Sequence, residues 1–274
     1  MAAAALTRAP AASAQSGEKA VQQPQQPLLS IVIPAHNEES RLPPTLRQID
    51  AFLHTQPFTA EVVVVENGST DRTLEVAQAF AAEHPYVRVI QAEVRGKGLA
   101  VKVGMLAAHG AYRFICDADL SMRIEGVVQF LPPHSDGYDV IIASREGPGA
   151  QRVGEPEYRH LIGRVNNWII KLTAVRGFED TQCGFKMFTQ AAAEDLFGVQ
   201  QMVGIGFDIE LLFIAKKRSY RIKQVPIVWY FDPDSRMRLV GDSLHLLVEI
   251  WLIQRNWQGG VYAKKGEPHR QPEV

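Results

Sequence analysis

Short runs of β-branched and apolar residues alternate with helical patterns along the first half of this chain, and this alternation constrains the fold more than any other feature. The runs occupy residues 28–33, 61–65, 87–91, 112–116 and 140–143. Between them, residues 70–83 and 99–108 carry apolar side chains at the spacing of an amphipathic helix. This pattern is typical of a mostly parallel, twisted sheet with flanking crossover helices. The sequence therefore predicts an α/β fold with three strand–helix units before Asp117.

The second half of the chain has a different pattern but no clean linker. Longer helices are predicted over residues 158–175 and 207–217, followed by a proline-containing strand over 222–229. We therefore predict a single domain over residues 28–257, with a first half at 28–120 and a second half at 121–257. Residues 1–27, rich in Ala, Gln and Pro, predict a disordered tail, and residues 258–274 predict a loose C-terminal tail.

Charge and cysteine content exclude several classes of function. The formal net charge is -1 and the pI is near 6.7, so the chain has no basic excess for a nucleic-acid backbone, and we exclude nucleic acid as a partner. Two cysteines without a metal-binding or paired spacing are typical of a cytoplasmic protein. No apolar run reaches the ~18 residues of a spanning helix, so membrane contact is expected to be peripheral, on the cytoplasmic face.

Two carboxylates directly follow the fourth apolar run. Asp117-Ala118-Asp119 comes after residues 112–116, and open α/β sheets bind ligands at the carboxyl ends of their strands. Carboxylates one residue apart repel each other unless a cation lies between them, and oxygen ligands suit Mg²⁺ or Mn²⁺. Such an ion can bridge a diphosphate and stabilise the charge that develops as a bond to it breaks. The alternative interpretation is a solvated turn or a helix cap.

Polar loops follow the other predicted strands and, in a parallel sheet, meet Asp117 at the same edge. They contain Pro34-Ala35-His36-Asn37-Glu38, Glu66-Asn67-Gly68-Ser69 and Gly96-Lys97-Gly98. Each loop taken singly is explained as a turn or a cap, but together they predict a ligand site. The Gly-Lys-Gly segment is not a P-loop, and no GxGxxG follows the first strand, which argues against a dinucleotide-dependent dehydrogenase.

These segments, in this order, resemble glycosyltransferase family 2, and within it the polyprenyl-phosphate sugar synthases of the dolichyl-phosphate glucosyltransferase type. The matching span is about residues 29–257. Besides the loops above, the resemblance is carried by Ser144-Arg145, by residues 180–186 and by residues 206–210. It implies a GT-A fold, inversion of the sugar configuration, a nucleotide diphosphate sugar as donor and a polyprenyl phosphate as acceptor.

The resemblance also implies a role for each half of the domain. Residues 28–120 become the nucleotide-sugar-binding half and residues 121–257 the acceptor half, with Asp117 and Asp119 as metal ligands. The residues assigned to the nucleotide sugar are Pro34, Ala35, Asn37, Glu38, Asn67, Ser69, Lys97, Asp117 and Ala118.

One departure from the family pattern affects the donor. The family usually carries Asp-Asp-Gly-Ser where this chain has Glu66-Asn67-Gly68-Ser69. The Asn67 amide can accept a hydrogen bond from a pyrimidine N–H but has no charge, which leaves both UDP-glucose and GDP-mannose open as donors.

Polar residues of the second half are candidates for binding the acceptor, because guanidinium groups grip phosphate through paired hydrogen bonds. The acceptor-binding candidates are Arg145, Arg159, Arg164, Gln182 and Lys186, and the catalytic candidates are Asp119, Arg145, Asp180 and Asp208. A phosphate nucleophile is already anionic and needs little help from a base, whereas a hydroxyl acceptor needs one, for which Asp180 and Asp208 are available. In the alternative interpretation Asp180 fixes the Gln182 loop, Asp208 caps a helix, and Arg159 and Arg164 lie on a solvated helix face.

An apolar stripe near the C-terminus predicts either a core helix, which is the first expectation, or a helix at a membrane surface. The stripe consists of Leu244, Leu247, Val248, Trp251 and Leu252. The leading hypothesis for function is metal-dependent transfer of a hexose, from UDP-glucose first, to a polyprenyl or dolichyl phosphate. The alternatives are mannose transfer from GDP-mannose, transfer to a glycan hydroxyl, and a nucleotide-sugar binding module without turnover.

Overall fold

The structure of the protein is a computed structural model that describes residues 26–92, 94–233 and 239–263. Its strands are β1 Leu29–Ala35, β2 Ala60–Glu66, β3 Val87–Gln91, β4 Tyr112–Ile115, β5 Val140–Ser144, β6 Gln151–Val153, β7 Lys186–Thr189, β8 Ile222–Pro226 and β9 Val228–Tyr230. Its helices are α1 Leu42–Leu53, α2 Thr73–Glu83, α3 Lys97–Ala107, α4 Glu157–Thr173, α5 Gln190–Val199, α6 Phe207–Lys217 and α7 Leu239–Gln258, with a 3₁₀ helix at Ile124–Phe130. Nearly all of the predicted N-terminal tail lies outside the described residues.

Seven strands form the main sheet in the order β3-β2-β1-β4-β7-β5-β8, and β6 pairs with β9 in a separate two-stranded sheet. Strand β1 is parallel to β2 and β4, β2 is parallel to β3, and β5 is parallel to β8. Only β7 is antiparallel to its neighbours in the main sheet, β4 and β5. The predicted α/β fold is confirmed, and three strand–helix units precede β4 as expected.

The central strands are buried on both faces, which explains their nearly continuous apolar sequences. Successive side chains of a strand point to opposite faces and so enter two cores. On one side of the sheet Ile31 packs in a cluster with Leu46 of α1. On the other, Val32 and Val63 pack in a cluster with Met105 of α3. Two helical layers therefore fix the strand ends from which the polar loops emerge.

The sequence pattern does not predict several elements of this fold. Strand β7 has 4 residues and begins with a lysine, and β6 has 3, so neither is long enough for a periodic pattern. Helix α5 was not predicted, and the first helix, α1, was predicted only as part of the three strand–helix units, without bounds, although its buried Leu42, Leu46 and Ile49 have helical spacing. The single strand predicted over 222–229 is divided into β8 and β9, which belong to different sheets.

The C-terminal helix α7 packs against α4 and α6 but leaves part of its apolar surface open. Leu246 and Ile250 are buried, whereas Leu247, Val248 and Trp251 are exposed. The core-packing interpretation of the predicted stripe is therefore wrong for these three residues. The Leu244 side chain lies outside the described residues. No helix within the described ranges is long and apolar enough to cross a bilayer.

Tyr262, within the loose tail predicted from residue 258, packs against the domain. Tyr262 is buried, and its hydroxyl donates a hydrogen bond of 2.7 Å to the Glu210 carboxylate. The Tyr262 carbonyl accepts a hydrogen bond of 2.6 Å from Arg218. The chain after residue 263 lies outside the described residues.

Candidate active site

The loops after β1 and β2 form one hydrogen-bonded unit at the carboxyl edge of the sheet. The backbone N–H of Asn37 donates to Ser69 Oγ at 3.0 Å, and the N–H of Thr70 donates to Asn37 Oδ1 at 2.8 Å. His36 Nδ1 lies 2.8 Å from the Asn67 carbonyl oxygen. Asn37 has a φ of 55°, a left-handed conformation that asparagine tolerates better than most residues. The structure thus brings these predicted nucleotide-sugar residues together.

The Glu38 carboxylate is held by an arginine that the sequence analysis missed. Arg41 donates from Nε at 2.6 Å and from Nη2 at 2.8 Å to the two Glu38 oxygens. Its third nitrogen, Nη1, lies 2.7 Å from Asp232 in the second half of the chain. The spacing of three residues between Glu38 and Arg41 was the available signal, since the first and fourth residues of a turn lie close together, and the Arg41 N–H donates to the Glu38 carbonyl at 3.1 Å. Arg41 therefore orients Glu38 and ties the loop after β1 to the second half of the chain.

The side chain of Asn67 is engaged within the protein. It is buried, and its Oδ1 accepts the Gly96 N–H at 2.9 Å, which links the second loop to the Gly-Lys-Gly loop. Ala35 is also buried, and Pro34 and Ala35 are the last two residues of β1. An Asn67 that fixes a loop need not read the base, so contact of these residues with the nucleotide stays a prediction.

Lys97 begins α3 and reaches the first aspartate of the Asp-x-Asp pair. Its Nζ lies 2.7 Å from Asp117 Oδ1. Burial by itself raises the pKa of Asp117, but the charge and hydrogen bond of Lys97 and the charges of Lys186 and Arg145 outweigh it and lower that pKa. Asp117 is therefore a carboxylate at neutral pH. Gly184 packs directly on it, because a Cβ at residue 184 would overlap the Asp117 carboxylate.

The ionised form of Asp119 is less stabilised than that of Asp117. Asp119 Oδ1 accepts the Ser121 N–H at 3.0 Å, while burial and then the nearby charge of Asp117 raise the pKa of Asp119. Between the two aspartates, Ala118 is buried and its carbonyl accepts a hydrogen bond of 2.6 Å from the Thr45 hydroxyl of α1. The backbone of the pair is thus fixed. A cation bound between the two carboxylates would reduce their repulsion.

The Asp117-Asp119 pair fits a divalent cation that takes its remaining ligands from a bound substrate and water. Within the described residues, no cluster of three or more His, Cys, Asp or Glu residues has metal-binding geometry. Mg²⁺ is commonly bound through one or two carboxylates, with substrate phosphates and water completing the shell. Asp117 and Asp119 supply such a partial set, beside a lysine that suits a diphosphate.

Lys186 and Asp208 form a buried ion pair, which the sequence analysis did not predict. Lys186 Nζ is 2.6 Å from Asp208 Oδ1 and 2.5 Å from the Cys183 carbonyl oxygen, and the Lys186 side chain is 1% exposed. It is enclosed in the protein, so the structure does not place it for contact with an acceptor. Asp208 lies in the first turn of α6 without capping it, since the helix has no side-chain cap.

Arg145 is held in place by Asp180. The guanidinium donates from Nε at 2.7 Å and from Nη2 at 3.0 Å, and the Arg145 backbone N–H also donates to Asp180 at 3.1 Å. Burial alone would raise the pKa of Asp180, but the charge and hydrogen bonds of Arg145 outweigh it and hold the pKa at about 2. Asp180 Oδ1 also accepts the Gln182 N–H at 3.2 Å. This geometry matches the positioning role that was the alternative to a catalytic base.

Cations and aromatic rings surround Arg145. Arg145 and Arg152 lie over the Trp229 ring at 5.5 and 5.7 Å, and Arg159 lies over the Phe231 ring at 5.2 Å. Arg152, in the three-residue strand β6, was not predicted because so short an element carries no periodic signal. Arg164 is exposed on α4, and no contact among the described residues joins it to this group.

The fold and the site together define a class of enzyme, the glycosyltransferases with a GT-A fold. The sequence model of the family described as "Glycosyl transferase family 2" matches residues 30–197. The chain belongs to this family, and it is a family 2 glycosyltransferase.

Several similar proteins carry one name, dolichyl-phosphate beta-glucosyltransferase. The Drosophila melanogaster protein is 36% identical over 240 residues, which cover 82% of this chain and 74% of the fly protein. The human protein is 32% identical over 249 residues, or 85% of this chain and 77% of its own length. A Trichomonas vaginalis protein is 32% identical over 254 residues, or 88% and 75%.

A solved structure of similar fold is glucosyl-3-phosphoglycerate synthase from Mycobacterium tuberculosis in complex with Mn²⁺, UDP-glucose and phosphoglyceric acid. It has a TM-score of 0.60 and 19% identity, and the match covers 83% of this chain and 79% of that one. At this identity the likeness supports the GT-A fold alone.

Proposed function

We propose that this enzyme transfers glucose from UDP-glucose to dolichyl phosphate, with inversion and with a divalent cation. The observation that carries the proposal is that two groups of charged residues meet at one edge of the sheet. Lys97 and the Asp117-Asp119 pair form the first group, and Arg145, held by Asp180, forms the second. The loop after Asp180 joins them, because Gly184 packs on the Asp117 carboxylate. A donor diphosphate and an acceptor phosphate can therefore meet there. The names of the similar proteins favour glucose and dolichyl phosphate.

On the donor side, each residue has a distinct task. Asp117 and Asp119 would hold the cation, which would stabilise the negative charge of the leaving diphosphate. Lys97 would add a second positive charge beside that group, because its Nζ already lies at Asp117. Glu38 and Asn37 would contact the nucleoside, and their loop is fixed by Arg41 and Ser69. Preorganised groups of this kind stabilise a transition state without reorganising during the reaction.

On the acceptor side, Arg145 would bind the phosphate of the lipid. Its Nε and Nη2 are directed to Asp180, and no hydrogen bond from Nη1 is found among the residues that the structure describes, so Nη1 would donate to an oxygen of the acceptor phosphate. A phosphate monoester is anionic at neutral pH and can attack the sugar carbon without losing a proton to the enzyme. The bond from that carbon to the donor diphosphate would break as the new bond to the phosphate oxygen forms, and UDP would leave with the electron pair. The low pKa of Asp180 agrees with this, because such a carboxylate is a weak base.

The acceptor's polyprenyl chain leads us to propose that the enzyme works peripherally on the cytoplasmic face of a membrane. The exposed apolar side chains of α7, Leu247, Val248 and Trp251, support contact with a bilayer surface. The donor side needs no such contact, since its loops are polar.

The test is product identification. The protein is incubated with Mg²⁺ or Mn²⁺, with UDP-glucose or GDP-mannose, and with a short polyprenyl phosphate or a soluble glycan, and Asp117→Asn serves as the inactive control. We expect a β-linked glucosyl phosphate lipid from UDP-glucose only. Product from GDP-mannose, or a glycan product, would replace the proposed substrates. Donor binding with no product, in the presence of either Mg²⁺ or Mn²⁺, would show that the chain is a binding module without turnover.

A further inference from the structure

Helix α4 leaves most of its large apolar side chains exposed, while Ile162 and Ile169 are half-buried. Among its described side chains only Ile170 is buried. Its exposed apolar residues recur every three or four positions and are 50 to 65% exposed: Tyr158, Leu161, Val165, Trp168 and Leu172. Monomeric proteins rarely expose a large contiguous apolar patch unless it contacts a partner or a membrane.

The exposed face of α7 continues this surface. Gln254 of α7 donates a hydrogen bond to the Thr173 carbonyl at the end of α4, so the two helices are neighbours. Leu247 and Trp251 precede Gln254 at helical spacing, and both are exposed. We call the exposed apolar residues of these two helices, together with the groove described next, the α4–α7 surface.

A groove of about 710 Å³ lies where α4, α6 and α7 meet, and its lining is basic. Leu172 of the α4 stripe is among its walls, so the groove and the apolar patch are continuous. Its charged lining residues are all cations: Lys171, Arg176, Lys216 and Lys217. Within the described part of the chain, only Lys171 of these four has a salt bridge, with Glu179 at 3.2 Å.

Aromatic faces, in place of carboxylates, hold the two lysines at the end of α6. Lys217 Nζ lies 5.7 Å from the ring centres of both Phe213 and Trp257. Lys216 Nζ lies 5.9 Å from the Phe178 ring centre and also donates to the Arg176 carbonyl. A ring leaves the full positive charge of a lysine available to an anion. The groove therefore has uncompensated positive charge beside an apolar surface.

We propose that the α4–α7 surface docks on a bilayer that contains anionic headgroups, with a lipid phosphate in the basic groove. The order of groups matches the order across a bilayer interface, where apolar side chains and tryptophan enter the acyl boundary and lysines remain at the phosphates. This inference extends the proposed membrane location, since it names the lipid class and the residues. It depends on no substrate, so it can fail or stand independently of the glycosyl transfer.

Flotation with lipid vesicles tests the docking without any substrate. The full chain is mixed with vesicles of phosphatidylcholine alone or of phosphatidylcholine with phosphatidylserine. We expect binding to favour the anionic vesicles and to weaken as salt is added. The double variant Lys216→Gln, Lys217→Gln should lose about fivefold in partitioning per lysine. Lys223→Gln is the matched control, because Lys223 also lies over a ring, Tyr138 at 5.5 Å, but does not line the groove.

The apolar half of the surface has its own variant. Trp168→Ser should weaken binding to both kinds of vesicle, whereas Leu106→Ser, at an exposed leucine of α3, should not. Equal binding of the wild type to both vesicles, or equal losses in Lys223→Gln and the double variant, would overturn the proposal. A wild-type chain that forms oligomers and does not bind vesicles would overturn it too. The salt dependence of the wild type decides the matter if a variant melts early. Transfer to a short soluble polyprenyl phosphate should persist in all these variants. A wild type that binds vesicles but shows no transfer would count against the proposed function alone.

Discussion

Asp180→Asn separates a positioning carboxylate from a catalytic base. The substitution keeps the shape of the side chain and removes the charge that orients Arg145. In the wild type this carboxylate has a pKa of about 2, against 3.8 for an unperturbed aspartate. A shift of one unit corresponds to ~1.4 kcal/mol, so the charged form of Asp180 contributes about 2 kcal/mol to folding. In a domain of this size we expect the melting temperature to fall by about 4 to 8 °C.

The pH dependence of this loss follows from the sign of the shift. Because the pKa of Asp180 is lowered in the folded state, its contribution is complete above the unfolded value and disappears as the pH falls towards the folded value. The difference in stability between the wild type and Asp180→Asn should therefore be constant near neutral pH. It should shrink between about pH 4 and pH 2, the window set by the two pKa values. Thermal melts across this range measure it.

Kinetics give the second half of the test. If Asp180 orients Arg145 towards the acceptor phosphate, Asp180→Asn should raise the KM for acceptor and leave the KM for donor nearly unchanged. Asp195→Asn is the matched control, because Asp195 pairs with Arg218 at 2.5 Å on α5 and should affect stability alone. A variant that keeps its acceptor KM but loses kcat would instead make Asp180 a catalytic group. A variant with normal melting and normal kinetics would refute the argument altogether.

Three other variants test the remaining assignments. Asp117→Asn should abolish transfer, with a loss of at least ~2.7 kcal/mol in transition-state stabilisation, and near-normal rates in EDTA would exclude the metal. Lys186→Met should lower the free energy of unfolding by ~3–5 kcal/mol in denaturant titrations, because it leaves the Asp208 carboxylate buried without its partner; a stable variant with a raised acceptor KM would restore the acceptor role. Leu247→Ser with Trp251→Ser should lower activity on long polyprenyl phosphates in liposomes but spare short soluble ones, and early melting would contradict their exposure.

The donor edge of the site was predictable because local features determine it. A run of apolar residues long enough for one buried strand precedes Asp117, and parallel pairing places the ends of such strands at one edge. The loops with Asn37 and Asn67 follow two strands of the same kind, so their meeting required only the alternation of strands and helices. Strand β7, which follows the loop that contains Asp180 and Gln182, could not be predicted in this way, since its 4 residues carry no clear period.

The acceptor half shows what depends on tertiary contacts. In the sequence, Arg145 and Lys186 are both basic residues beside family-like segments. In the structure, Lys186 is enclosed with Asp208, 22 positions away, while Arg145 is held by Asp180, 35 positions away. No local pattern selects such partners, because burial and ion pairing are decided by which elements pack together.

The sequence by itself determined the α/β class, the order of the first three strand–helix units and the loops that carry the Asp-x-Asp pair and Lys97. Only the tertiary structure decided which side of each apolar helix is covered. The spacing in α4 and α7 assigns apolar residues to a face, but a core position and a surface position give the same spacing. Trp251 and Ile250 are neighbours in one helix, and only the packing of α7 against α4 and α6 buries the isoleucine and leaves the tryptophan exposed.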